Sequence, residues 1–143
     1  MCARIIPTCF KNFHNKIGMF LSLEQVHRLH AIGLEDHGGS PGIRDLGLIE
    51  SAIASAQNTA LYGGGDNFDV AAAYAFHLAE AQAYLDGNKR VGIMTALTFL
   101  AMQGYRCNPS IAVQEQLYDA MIAIAKHELD KPRLAALLRQ IFQ

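Results

Sequence analysis

The chain has 143 residues and a mass of 15.6 kDa, the length of one ordinary domain, and a fold of that size buries roughly 68–70% of its extended surface without a disulfide or metal staple. With glycine counted in place of tyrosine, apolar residues reach about 56% against a typical ~45–50%, and charged residues are 17% against ~25%; this excludes an intrinsically disordered chain and points to apolar surface that a partner covers. The net charge is −1, and after the first 18 residues nine cations face 13 acids, so there is no basic stripe for a nucleic-acid backbone.

Cys2, Cys9 and Cys107 are odd in number and form no CxxC pair, which suits a reducing, cytoplasmic compartment. Cys107 reads as a small apolar packer. No run reaches the ~18 apolar residues of a membrane span. The longest, Val91 to Met102, contains Gly92, Thr95 and Thr98 and reads as a buried helix.

Residues 1–18 place Ile6, Phe10, Phe13 and Ile17 at steps of four, three and four with Lys11 and Lys16 between them. That pattern is either a short basic amphipathic helix or an extension upstream of a domain at 19–143. It lacks the apolar core and cleavage site of a secretory signal. Ser22 to Gln25 spells a capping box, and Leu23, Val26, His27, His30 and Leu34 follow at helical spacing. Gly38 to Gly42 ends that helix. Asp45 caps a second, predicted over Leu46 to Ala56, and a glycine-rich loop is expected from Asn58 to Asp66. A third helix, rich in alanine, runs from about Phe68 to Gln82. After a break at Tyr84 to Gly87, a fourth covers Asn88 to Gln103, with Gly104 at the left-handed cap. A fifth spans roughly Ile111 to His127, and Asp130 with Pro132 opens a sixth. No segment alternates with period two. The fold expected is all-α: one domain of about six helices around a central apolar one.

The stretch Asp86-Gly87-Asn88-Lys89-Arg90 is where chemistry is expected. Glycine permits a tight turn. Free amides at a helix start, with the positive end of its dipole, form an anion site. Lys89 and Arg90 add charge, and arginine grips phosphate with two parallel bonds. Asp86 makes sense beside them if a divalent metal lies between its carboxylate and the phosphates of a nucleotide. The same residues also fit a plain helix start with Asp86 as a local cap and two solvated cations.

The run Gln82-Ala83-Tyr84-Leu85-Asp86-Gly87-Asn88-Lys89-Arg90 resembles the Fic/Doc (Fido) family motif H-x-F-x-[D/N]-G-N-[G/K]-R. The segments Gly39 to Ala52 and Phe20 to Val26 resemble the death-on-curing (Doc) branch. The resemblance covers about residues 19 to 143. It implies a Fic-type helical bundle whose Asp86 holds Mg²⁺ and whose Gly87, Asn88, Lys89 and Arg90 cradle the phosphates of ATP. Lys89, and the lack of a second arginine at Ile93, imply the Doc habit: transfer of a terminal phosphoryl group to a protein hydroxyl, elongation factor Tu being the known target. It also implies an antitoxin partner whose helical tail lies in a groove, since no self-inhibitory [S/T]-x-x-x-E spacing occurs in the chain.

The departure is at Gln82, where the family has its catalytic histidine; the usual Pro and Phe fall on Ala83 and Tyr84. An amide exchanges hydrogen bonds but cannot take a proton at neutral pH, and losing a general base costs about 10²–10⁴ in rate. Phosphoryl transfer, with its loose transition state, asks comparatively little of a base. Three readings stand: a slowed phosphotransferase with Gln82 positioning the acceptor, a pseudo-enzyme that binds nucleotide or a partner, and a nucleotidyl transferase. His77 lies about 140° round its helix from Gln82 and ~7.5 Å along it, and reads as a helix-face histidine. His27, His30 and His37 form no metal set. Arg44 and Glu50 are candidates for a local ion pair, and Met94 and Met102 for core filler.

Overall fold

In a computed structural model of the chain, residues 20–106 and 110–142 are described. The 1–18 segment and Cys107 lie outside them. Six helices follow in order: α1 (Leu23–His37), α2 (Leu46–Leu61), α3 (Asn67–Ala81), α4 (Asn88–Met102), α5 (Ile111–Ala125) and α6 (Lys131–Phe142). The all-α expectation holds among the described residues, and no helix of these is long and apolar enough to cross a membrane.

The starts follow the sequence. Ser22 and Gln25 close a reciprocal capping box on α1. Asp45 caps α2 by accepting from Leu48 N–H, and Asp130 accepts from Arg133 N–H at the head of α6. The ends differ more. The expected loop from Asn58 is a last turn of α2 that continues to Leu61. Thr59 Oγ1 bonds back to Ser55 O and Ala60 packs against the core, so tertiary burial overrides the weak helix preference of Asn58 and Thr59. The chain turns at the glycines instead, where Gly63 and Gly65 N–H reach Asn58 O and Thr59 O. Helix α5 stops at Ala125, two residues short of the expected His127, which adopts a left-handed φ of 61°. Gly104 takes the left-handed cap as expected (φ 95°).

The core forms around α4, whose Val91 to Leu100 are all buried. Its main partner, α3, is also buried along most of its length, with small side chains at Ala71, Ala72, Ala73, Ala75 and Ala79. A Cβ on Gly92 would stand 2.8 Å from Ala75 O and 3.1 Å from Met121 Cε. The glycine therefore sets how closely α3, α4 and α5 approach. Met94 is buried, and Met102 packs at the core edge. Tyr74 on α3 is fully buried; its hydroxyl accepts from Leu21 N–H and ties the segment before α1 to the core. Burial pushes that phenol up to about 12.

Helix α6 is latched by charge as well as by Leu134, Ala135 and Leu138. Arg139 lies 2.9 Å from Asp66, the N-cap of α3, and 3.0 Å from Asp69. Partial burial pushes the Asp66 carboxyl up. That is outweighed by its bonds from Asp69 N–H and Arg139, and the net shift is below its ordinary 3.8. A depressed carboxyl contributes stability above the unfolded-state value and loses it as pH falls through the lower folded value. Stability should therefore decline below about pH 4, and Arg139→Met should flatten that decline in urea titrations run across pH.

Two substitutions test the α3–α4 contact. Gly92→Ala gains about 1 kcal/mol of helix propensity, but its Cβ meets a backbone oxygen that cannot yield cheaply, at about 1–3 kcal/mol. The expected net is a lower urea midpoint. Thr95 and Thr98 are buried with hydroxyls that find no partner among the described residues. Thr98→Val removes such an orphan and should raise stability by about 1 kcal/mol, with an unchanged m-value.

Candidate functional site

Helices α3 and α4 are joined by only six residues, 82–87. The link spans that turn with two left-handed residues. Gln82, at the C-terminal cap of α3, has φ 48°, and Gly87, the N-cap of α4, has φ 79°. For glycine this conformation is free of steric cost, but for glutamine it costs roughly 1–2 kcal/mol. Such strain gathers at functional positions.

The turn is held by side chains at several points. Asn88 Oδ1 accepts from Tyr84 N–H and its Nδ2 donates to Tyr84 O, both at 3.0 Å, so one amide closes the turn from both sides. The segment before α2 crosses it through Arg44 and Asp45 N–H to Ala83 O and Leu85 N–H to Gly42 O, a single antiparallel bridge at Ile43 and Tyr84. Arg44 and Glu50 form no ion pair among the described residues; Asp45 serves as the α2 cap. Below the turn, Tyr84 is buried. Its hydroxyl shares a 2.6 Å hydrogen bond with His27 Nδ1, and its ring stacks on His30 at 3.7 Å. Desolvation pushes the Tyr84 phenol well above its ordinary value. His30 Nε2 donates to Asp86 O at 2.7 Å, and burial holds its imidazole below the usual range.

Helix α4 begins with no side-chain cap, and the amides of a first helical turn have no partner inside the helix. Asp86, Gly87, Asn88, Lys89 and Arg90 line a cavity of about 110 Å³ at this end, together with Tyr118 of α5. Asp86 Oδ1 accepts from Gly87 N–H and Oδ2 from Ser40 N–H. Gly39 is part of that arrangement, because a Cβ there would lie 3.0 Å from Asp86 Oδ2 and 2.9 Å from Leu34. Arg90 runs its stem over Gly33 of α1, where a Cβ would lie 3.3 Å from Arg90 Cδ. His37, at the end of α1, is held below its ordinary value by burial and then by the Arg90 charge.

The structure thus gathers Asp86 to Arg90 around one cavity. Gln82 is exposed on the turn and is not among the cavity's walls. The Asn88 amide is committed to Tyr84, so what it offers the cavity is its backbone N–H. His77 is elsewhere, in a separate cavity of about 200 Å³ between α2 and α3 with Ser51, Ser55 and Glu80. Lys131 Nζ donates to its Nε2 at 3.0 Å, and burial and that cation keep the imidazole neutral to lower pH. No group of three or more His, Cys, Asp or Glu able to hold a metal occurs among the described residues. Asp86 is the carboxylate on the cavity wall, and magnesium in nucleotide sites is held by one or two carboxylates together with the phosphates themselves. That donor set fits a magnesium brought in with a nucleotide, not a metal caged by protein alone.

Sequence reading missed Tyr118, His27 and His30. The first comes from a helix 30 residues downstream and the others from one more than 50 residues upstream of the turn. Only the helical spacing of His27 and His30, on one face of α1, hinted that they act together.

The turn itself is testable. Asn88→Asp replaces the donor facing Tyr84 O with a carboxylate oxygen. A charge at the helix start gains about 0.3–1 kcal/mol, less than the roughly 1–3 kcal/mol of a carbonyl and carboxylate left facing each other. The variant should melt at lower temperature by calorimetry, while Asn88→Asp at an acid pH that protonates the carboxyl should recover part of the loss.

A sequence model described as the Fic/DOC family matches residues 20–100. The chain is 30% identical over 123 residues to the protein kinase doc of Escherichia phage P1, covering 85% of this chain and 94% of that protein. It is 35% identical over 102 residues to the toxin Doc of Mycolicibacterium smegmatis, covering 69% of this chain and 77% of that toxin.

Proposed function

The chain belongs to the Fic/DOC family, and on that premise we propose that it is a Doc-like toxin of a toxin–antitoxin pair that moves the terminal phosphoryl group of Mg-ATP to a serine or threonine hydroxyl of a target protein. The observation that carries the reading is the uncapped start of α4. Its free amides, Lys89, Arg90 and the Asp86 carboxylate all line one cavity, which suits a metal-bound phosphate chain. The P1 relative is named a protein kinase, and Lys89 stands where the Doc branch has lysine.

In this reading the amides of Asn88 and Lys89 bind phosphate oxygens, Gly87 gives its N–H to the Asp86 carboxylate and supplies the turn, and Arg90, braced on Gly33, takes up charge that spreads over the transferred group. Asp86 holds the magnesium, which neutralises that charge when bound. The acceptor oxygen forms a bond to phosphorus as the bond to the ADP oxygen breaks. The acceptor proton leaves to solvent, because Gln82 only orients the hydroxyl. Exposed Ile43, Leu46, Leu48 and Leu85, each 43–49% accessible, flank the turn. They suit a surface that an antitoxin's helical tail covers in a cytoplasmic complex. A translation factor, elongation factor Tu by family resemblance, is the proposed target.

The exposed amide at position 82 favours a second reading, a binder of nucleotide or partner without turnover. Labelled ATP separates the two. Label from the γ-phosphate on protein in a cell extract supports phosphoryl transfer, and label from the α-phosphate would replace it with nucleotidyl transfer. Neither label, with Mg-ATP bound in calorimetry, selects the binder. Gln82→His should raise γ-transfer by about 10²–10⁴-fold. Unchanged Mg-ATP affinity in a Lys89→Ala, Arg90→Ala double variant would sink the phosphate cradle.

A further inference from the structure

The peptide unit between Asp86 and Gly87 is the last before α4 and is anchored at both ends. Its carbonyl accepts from His30 Nε2 at 2.7 Å, and its N–H donates to Asp86 Oδ1 at 2.9 Å. Nothing in the glycine itself fixes this orientation. Glycine accepts either sign of φ at similar cost, so the unit is sterically free to turn over. Turned over, its carbonyl would leave α1 and present a partial negative charge where the cavity gathers cations and amides. It would also break one of the two backbone bonds that steady the Asp86 carboxylate.

We propose that His30 is a positioning residue that locks this peptide unit and so keeps a carbonyl oxygen out of the phosphate cradle; the inference rests on the reading of that cavity as a phosphate site. A carbonyl oxygen can only accept, so the His30 proton sits on Nε2. The ring is buried and lies parallel to Tyr84 within 12°. Its edge abuts the turn, where a Cβ on Gly87 would lie 3.4 Å from Nε2. Tyr84 is itself pinned by His27 through its hydroxyl and by Asn88 through its backbone. The donor is therefore aimed by packing on one face and by the turn on the other. It reaches the site from α1, an element that contributes no wall to the cavity.

Two variants separate aiming from filling. His30→Phe keeps a ring against Tyr84 and removes the donor. His30→Gln keeps an N–H at comparable reach and removes the ring. Calorimetry with Mg-ATP at one pH should show affinity falling about tenfold in His30→Phe and staying within about threefold of the parent in His30→Gln, the size of one buried hydrogen bond. Amide exchange at Gly87, whose N–H is bonded to Asp86 Oδ1, should quicken in ligand-free His30→Phe and stay near the parent in His30→Gln. A purely structural histidine gives the opposite order, since phenylalanine packs better, and that order overturns the proposal. So does a nitrogen NMR spectrum showing the proton on Nδ1. If the parent chain binds no Mg-ATP, the phosphate reading fails, while the exchange order in the free chain still decides whether His30 locks the unit.

Discussion

The close approach of α3 to α4 is the constraint from which the site follows. No Cβ fits between Gly92 and the carbonyl of Ala75, so the two helices lie nearly in backbone contact. Six residues must reverse the chain between them, which makes the pair an antiparallel hairpin. This reversal has a left-handed residue at each end, Gln82 and Gly87. The one at Gly87 also leaves the first amides of α4 bare. The open start of the central helix thus lies where the link between the two closely packed helices ends, at a glycine that has no side chain to cap it.

The local part of this design was legible in the sequence. The uninterrupted apolar run of α4, the capping residues Ser22, Asp45 and Asp130, and the glycines at 38–42 and 104 each act through near neighbours, and the structure places them as their spelling suggests. The misses are of another kind. Asn58 and Thr59 look like loop residues, and the packing of Ala60 against the core, with the Thr59 bond back to Ser55 O, keeps the turn they form helical. His30 and Tyr118 reach the turn from other helices, and one sequence carries no record of such contacts. The family resemblance makes Asn88 one of the residues that cradle phosphate. Its side chain instead closes the turn, which a motif match cannot reveal, because binding and folding roles look alike at the level of residue type.

Tyr84 shows how the chemistry of one buried ring sets what its neighbours must supply. A phenylalanine in that buried place needs only contacts, whereas a phenol needs a hydrogen-bond partner. His27 meets that need, and His30 covers the ring. The turn is therefore supported by a polar network on α1 in place of a purely apolar floor, and a network of this kind fixes orientation more sharply than oil does.

The chain contains no tryptophan and five tyrosines, and one of them, Tyr118, forms a wall of the cavity at the head of α4. Its emission, unmasked by tryptophan, is consequently the part of the tyrosine signal that answers to that cavity, while Tyr62, Tyr74, Tyr84 and Tyr105 line none of its walls and form a common background. A change of tyrosine emission on filling the cavity that is lost in Tyr118→Phe would follow occupancy with no dye attached.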